Sequence, residues 1–272
     1  SESSLFVYPT KLILKTCGTT TLLLVLPKVL ALADALGMPL ANAHYSHFRY
    51  AFPQLQPYPH SSFGEEQRTM RELLEGRVAD VSAKAIGSDA ATGTAWFALA
   101  ADGLVGADDE KKQPTPPAED CIFEVAMEGL SAKVCDGFFG TDAAHAGKTG
   151  RALANSMGEL IGMNALVEGA VVDDWAFEPC GYSMNALNGP YYYTVHVTPE
   201  HAFSYASFET NDPAFAAADK LRDVATAFDP TSLTVTVTTR GGGKGVAVPE
   251  LFDATSATAH ASVQITREVS IH

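Results

Sequence analysis

The sequence predicts an α+β fold: antiparallel sheets with one face buried and helices covering the other. Three observations carry the prediction. Short stretches alternating apolar and polar residues recur along the chain, the mark of strands buried on one side. Amphipathic runs of helical period lie between them, some with Thr or Asp at their starts. Of the 272 residues 46% are apolar and 18% charged, a composition that can build a sizeable core.

In order, Leu12 to Cys17 is β-rich and reads as a strand. Thr19 or Thr20 caps a helix running to about Leu36, where Gly37 stops it, and Pro27 kinks it. Ala43 to Phe52 sets aromatics and histidines on alternating faces of another strand. Pro57 to Ser62 is a loop, and Glu65 to Leu74 a short amphipathic helix. Val78–Ile86 and Thr94–Ala100 read as paired strands across a glycine-bounded turn at 87–93. Asp102 to Glu119, with three prolines and several acids, reads as an exposed, mobile connection. It joins two similar halves, roughly 1–101 and 118–272, of one domain. In the second half Asp120–Met127, Ala170–Phe177, Tyr191–Thr198, His201–Glu209, Ser232–Arg240 and Ala259–Ile271 read as strands. Ala143–Ile161 reads as a helix, and Asp212 caps another to about Phe228. Phe177 to Asn185 reads as a turn, and Arg240–Gly245 as a glycine hairpin tip.

The formal net charge of −14 argues against nucleic acid or an anionic membrane as partner and leaves acids for a cationic ligand. Four cysteines, Cys17, Cys121, Cys135 and Cys180, lie far apart without a CxxC, which points to reduced thiols in the cytoplasm. The most apolar stretch, Thr21 to Leu40, contains Pro27, Lys28 and Asp34 and reads as a buried helix, not a membrane span. His44 and His47 stand three apart with no further ligand nearby, so no metal is expected. Gly241–Gly243 lacks the Lys-Ser/Thr and helix of a phosphate loop.

The stretch that organises the rest is Ser1-Glu2-Ser3-Ser4-Leu5-Phe6-Val7 with Lys15-Thr16-Cys17-Gly18-Thr19-Thr20. At a Glu-Ser step the hydroxyl can attack the preceding carbonyl. The resulting ester can eliminate to dehydroalanine, and hydrolysis then leaves a pyruvoyl group on the new chain. Together with Phe177-Glu178-Pro179-Cys180-Gly181-Tyr182-Ser183-Met184-Asn185, Thr194-Val195-His196-Val197-Thr198-Pro199-Glu200 and Phe203-Ser204-Tyr205-Ala206-Ser207-Phe208-Glu209-Thr210-Asn211, these segments resemble the eukaryotic S-adenosylmethionine decarboxylases. The resemblance covers most of the chain, weakest over 89–117 and at the C-terminal end.

The resemblance implies a four-layer αββα sandwich: two antiparallel sheets face to face with helices outside. It implies autocatalytic cleavage between Glu2 and Ser3, Ser3 becoming the pyruvoyl cofactor that forms a Schiff base with S-adenosylmethionine and accepts its electrons on decarboxylation. The product would be the aminopropyl donor for spermidine and spermine synthesis. Cys17 matches the proton donor, and thiols ordinarily titrate near ~8.5. Ser183 and His196 match residues that make the cofactor, whereas without the motif they would read as a turn serine and a hydrogen-bonded strand histidine. Phe177 and Glu200 match substrate-binding positions, the ring for adenine and sulfonium, the carboxylate for ribose hydroxyls.

The chain opens two residues before the implied cleavage, so the family's N-terminal β chain, with further substrate-binding residues, is expected outside this sequence. Asp120 and Glu124, four apart on one strand face, and Glu209 match acids that line a putrescine pocket in the family. Alternatively they are three solvated carboxylates, and Ile122 stands where the family often has a hydroxyl residue. The effector is expected to be putrescine or an activating paralogue subunit. The rival reading is a non-catalytic regulatory paralogue that activates a decarboxylase partner. Such relatives lose Ser3, Cys17 or His196, and this chain keeps all three.

Overall fold

The computed structural model describes residues 3–19, 21–87, 95–103, 121–240 and 262–271, with 239–240 and 262–271 through their backbone alone. It bears out the α+β class: among the described residues the sheet pairings are antiparallel and helices accompany them. Contacts divide the chain into two compact units, 1–118 and 119–270. Most of the connection expected at 102–117, the turn at 88–93 and the glycine tip at 241–245 lie outside the described residues.

The N-terminal unit opens with a hairpin that sequence reading found only in its second strand. β1 (Ser3–Val7) pairs with β2 (Leu12–Thr16), Ser3 opposite Thr16 and Val7 opposite Leu12. Alternation along β1 buries Ser4 and Phe6 and exposes Leu5 and Val7. Helix α1 (Leu22–Ala35) keeps Pro27 in its interior. Its N-cap is Thr21 rather than Thr19 or Thr20, and the Thr21 side chain makes no capping bond. Helix α2 (Phe63–Leu73) starts two residues before the Glu65 expected from sequence and is capped by Ser62, read there only as a loop residue, whose side chain accepts from the Glu65 N–H.

β3 (Asn42–Phe48), β4 (Ser82–Ile86) and β5 (Trp96–Asp102) form a sheet in the order β3-β5-β4. The strand expected over 43–52 thus ends at Phe48, and of the stretch from Val78 only Ser82 onward is strand, Val78 making a lone bridge to Gly103. Leu74, Val81 and Leu99 are wholly buried in this unit's core. Each such side chain contributes about 1.5–3 kcal/mol on leaving water.

The C-terminal unit is built on a seven-stranded sheet. Its strands are β6 (Cys121–Leu130), β7 (Val171–Ala176), β8 (Tyr182–Asn188), β9 (Tyr191–Thr198), β10 (Tyr205–Thr210), β11 (Pro230–Arg240) and β12 (Ser262–Ile271). They lie in the order β12-β11-β6-β10-β9-β8-β7. Between β6 and β7 come the short helix α3 (Ala132–Asp136), then α4 (Gly150–Leu160) and α5 (Met163–Leu166), and α6 (Ala218–Phe228) precedes β11.

The helix expected over 143–161 is broken. A 3-10 turn at Ala143–His145 is separated from α4 by residues 146–149; Gly147 within that break and Gly150 at the first position of α4 have positive φ, where the chain leaves the right-handed helical region. Asp212 caps a 3-10 turn at Pro213–Ala216 through the Ala214 N–H, and α6 starts afterwards without a side-chain cap. One face of the sheet supplies the apolar core, including Phe123, Met127, Val195 and Phe208 with Leu221 and Phe228 of α6.

The other face is polar, and the pairing shows it row by row. Asn185, Thr194, Glu209, Glu124 and Thr236 stand side by side across β8, β9, β10, β6 and β11. The neighbouring row is Ser183, His196, Ser207, Ala126 and Thr234.

Candidate active site

Ser183 was expected in a turn; it is the second residue of β8. The turn is confined to residues 177–181, where the Phe177 N–H donates to the Gly181 carbonyl at 3.0 Å. Gly181, at φ +109°, takes a backbone conformation that disfavours side chains and lets the chain re-enter the sheet. From there the antiparallel register sets Ser183 directly opposite His196 of β9. Their side chains meet, Ser183 Oγ 3.0 Å from His196 Nδ1.

His196 is 2% exposed, so its ring nitrogens depend on protein partners. Its Nε2 lies 3.4 Å from Thr194 Oγ1, and that hydroxyl donates to Asn185 Oδ1 at 3.0 Å. With its proton committed to Asn185, Thr194 has only lone pairs to offer Nε2. This favours the tautomer with the proton on Nε2 and leaves Nδ1 as the basic nitrogen facing the Ser183 hydroxyl. Sequence reasoning missed Thr194 and Asn185. The signal was the two-residue period Tyr192–Thr194–His196, which puts all three on one strand face.

Phe177 and Glu200 sit near the same end of this sheet, Phe177 following β7 and Glu200 following β9. Residues 136–140 tie the two turns: Gly181 N–H donates to the Phe138 carbonyl at 3.0 Å, and His201 bonds Asp136 at 3.0 Å and stacks on Phe139. Phe177 is half-buried. Glu200 Oε2 is buried with no hydrogen-bond partner among the described residues. A buried carboxylate oxygen without a partner is costly and fits a ligand donor.

Ser3 and Cys17 belong to the N-terminal unit. Ser3 is exposed at the open end of the β1–β2 hairpin, opposite Thr16, and Cys17 directly follows that partner. Cys17 is half-exposed and forms no disulfide. Glu2 and Asp120 lie outside the described residues. Of the remaining acids, Glu124 and Glu209 are directly opposed on β6 and β10, 6% and 7% exposed, not the solvated carboxylates of the alternative reading. The Tyr192 hydroxyl donates to Glu209 Oε1 at 2.6 Å. Thr236 Oγ1, in the same row, is buried without a hydrogen-bond partner among the described residues. No group of three metal-ligating side chains occurs among the described residues, and no helix there is long and apolar enough to cross a membrane.

These features define an α+β protein whose buried polar sheet face carries a hydrogen-bonded serine–histidine pair, with a partnerless buried carboxylate oxygen past the end of β9. The chain belongs to the adenosylmethionine decarboxylase family, whose model matches residues 1–266. It is 40% identical over 245 residues to a maize (Zea mays) protein named S-adenosylmethionine decarboxylase proenzyme, covering 89% of this chain and 58% of that one. A rice (Oryza sativa subsp. japonica) protein of the same name is 39% identical over 245 residues, with the same coverage. This chain therefore spans little more than half the length of those relatives. The solved structure of the Trypanosoma brucei AdoMetDC-delta26 monomer is similar at TM-score 0.61 and 27% identity, covering 86% of this chain and 79% of that one.

Proposed function

We propose that this chain carries the larger part of a pyruvoyl-dependent decarboxylase that acts on S-adenosylmethionine after cutting itself between Glu2 and Ser3. The observation that carries the reading is the Ser183–His196 pair, 3.0 Å apart on a buried sheet face, in a chain of the adenosylmethionine decarboxylase family. The residues present fit the cofactor. Ser3 is exposed at a strand start, and Cys17 follows its pairing partner. The pyruvoyl carbonyl, once formed, supplies a sink for the electron pair left when carbon dioxide departs.

The chain's own residues divide the remaining work. Nδ1 of His196 takes the Cα proton of the Ser3 ester so that the chain breaks, with Ser183 holding the intermediate. Cys17 returns a proton to the substrate carbon after decarboxylation. Phe177 and Glu200 bind the nucleoside part, the Glu200 Oε2 atom accepting ribose hydroxyls. Glu124 and Glu209, with Asp120, form an effector site for a diamine such as putrescine, whose two ammonium groups offset the opposed carboxylates. The remaining partner is the β chain cut from the N-terminal side of Ser3. The decarboxylase names of the relatives give no support to the non-catalytic alternative.

The test uses the full-length protein. Mass spectrometry of the parent should show two chains, the larger starting at a pyruvoyl group in place of Ser3, with carbon dioxide released from S-adenosylmethionine. Ser3→Ala should stay one chain and release none. A Ser3→Ala protein with parental activity refutes the reading.

A further inference from the structure

The N-terminal unit contains a buried polar network that the proposed chemistry does not use. Glu66 of α2 is 0% exposed and His60 1% exposed. Glu66 Oε1 accepts from the Tyr45 hydroxyl at 2.7 Å and lies 2.8 Å from His60 Nδ1. Its Oε2 lies 2.9 Å from His47 Nε2. His47 Nδ1 in turn lies 2.8 Å from the Phe48 carbonyl, so both nitrogens of His47 face acceptors. The ring lies between Tyr50 and Phe97, at centroid distances of 4.5 and 5.2 Å.

The proton assignments continue to a helix end. The Leu23 N–H donates to His60 Nε2 at 3.4 Å, which places the His60 proton on Nδ1, facing Glu66. Leu23 is the second residue of α1, where backbone donors have no partner within the helix and Thr21 supplies none through its side chain. His60 therefore caps α1 from 37 residues away in sequence. At the other end of the same connection the Gln56 side-chain amide donates to the Gly18 carbonyl at 3.1 Å. Gly18 adjoins Cys17 and has φ +70°, so the chain bends sharply just after the thiol.

We infer that Gln56 and His60 are positioning residues for Cys17: together they clamp both ends of the Gly18–Leu23 connection, and Glu66, Tyr45 and His47 hold His60 in the tautomer that can do so. This rests on the reading of Cys17 as the proton donor. A proton must reach one atom from one direction, and a misplacement of about 1 Å costs on the order of 100-fold in rate. Gln56 holds the residue directly after the thiol and His60 holds the start of α1, both from one segment, 56–60.

Two readouts test it in the full-length, processed protein. The first is alkylation of Cys17 by iodoacetamide, followed by peptide mass spectrometry, which needs no turnover. The second is steady-state decarboxylation of S-adenosylmethionine. Gln56→Ala and His60→Ala should alkylate at Cys17 at least about threefold faster and lose about tenfold in kcat with KM within twofold. His60→Gln, whose amide can accept from Leu23 and donate to Glu66, should restore most of both. If His60→Ala does not fold, Gln56→Ala and His60→Gln carry the test, since Gln56 bonds near the surface. Alkylation and kcat within twofold of the parent for folded Gln56→Ala and His60→Ala overturn the inference. Parental turnover by Cys17→Ala instead removes the proton-donor reading and with it the effect on kcat, while the alkylation rates still report whether the clamp holds the loop.

Discussion

Glu66→Gln should destabilise the N-terminal unit by an amount that depends on pH. Burial alone would raise the Glu66 carboxyl, but hydrogen bonds from His47, His60 and Tyr45 and the His47 charge outweigh it and hold the group at about 2 instead of the ordinary 4.5. Because folding lowers this value, the folded state holds the carboxylate form more firmly than the unfolded chain does. The stabilisation is complete above 4.5 and is lost as pH falls towards 2. A difference of about 2.5 units at about 1.4 kcal/mol each gives about 3 kcal/mol, with the burial cost already included. The glutamine has nearly the same shape, so cavity formation contributes little to the loss.

Urea titration followed by tryptophan fluorescence reads this locally. Trp96 is 5% exposed and lies on β5 of the affected sheet, whereas Trp175 is 56% exposed and changes little on unfolding. At neutral pH the midpoint of Glu66→Gln should fall by about 1–3 M for the typical urea sensitivity of about 1–3 kcal/mol per M. The gap from the parent should shrink as both are titrated from pH 5 towards pH 3. A gap of less than about 0.5 kcal/mol at neutral pH, or one that stays constant down to pH 3, refutes the reasoning.

Three further outcomes follow from named contacts. His196→Ala should stall before the chain breaks, and hydroxylamine should release the accumulated ester; cleavage at the parental rate contradicts the assignment of Nδ1 as base. Gly158→Ala would place a methyl 2.9 Å from the Tyr182 hydroxyl, on a residue with no exposure, and should cost about 1–3 kcal/mol through overpacking, seen as a lower melting temperature. Putrescine should raise the activity of the parent but act less on Glu209→Gln, which keeps the Tyr192 contact and loses the charge; equal responses exclude this pocket as the effector site.

Local chemistry was legible where local residues decide the structure. The amphipathic period of Glu65–Leu74 announced α2, and the alternation of β9 announced that strand. What failed was decided elsewhere in the chain. β8 hid because its polar face is Ser183 and Asn185, both turn-formers by composition, while Tyr182 and Met184 face the core. The start of α1 was misplaced because its donor at Leu23 is satisfied by His60, a partner that no local capping rule includes. His47 was weighed only as a metal ligand beside His44; its actual partner, Glu66, is 19 residues away and comes into reach only when α2 packs on β3. At the site, the resemblance named Ser183 and His196, but only the register of β8 and β9 makes them partners.

The seven-stranded sheet explains why such a pair can be both buried and polar. Burying hydroxyls, an imidazole and two carboxylates on one face costs several kcal/mol unless each finds a partner. The antiparallel ladder solves this by geometry. Its strands, spaced about 4.8 Å apart, set Asn185 beside Thr194 and Ser183 beside His196, so hydrogen bonds form across strands without help from loops. Backbone pairing thereby also sets the partners that favour one tautomer of His196. The same rigidity leaves exceptions where a ligand is proposed to bind: Glu200 Oε2 beyond the end of β9 and Thr236 Oγ1 in the row of Glu124 and Glu209 are both buried without a partner among the described residues. A ladder that satisfies its polar groups from within, yet leaves acceptors open at the proposed ribose and effector positions, is what a preorganised binding surface requires.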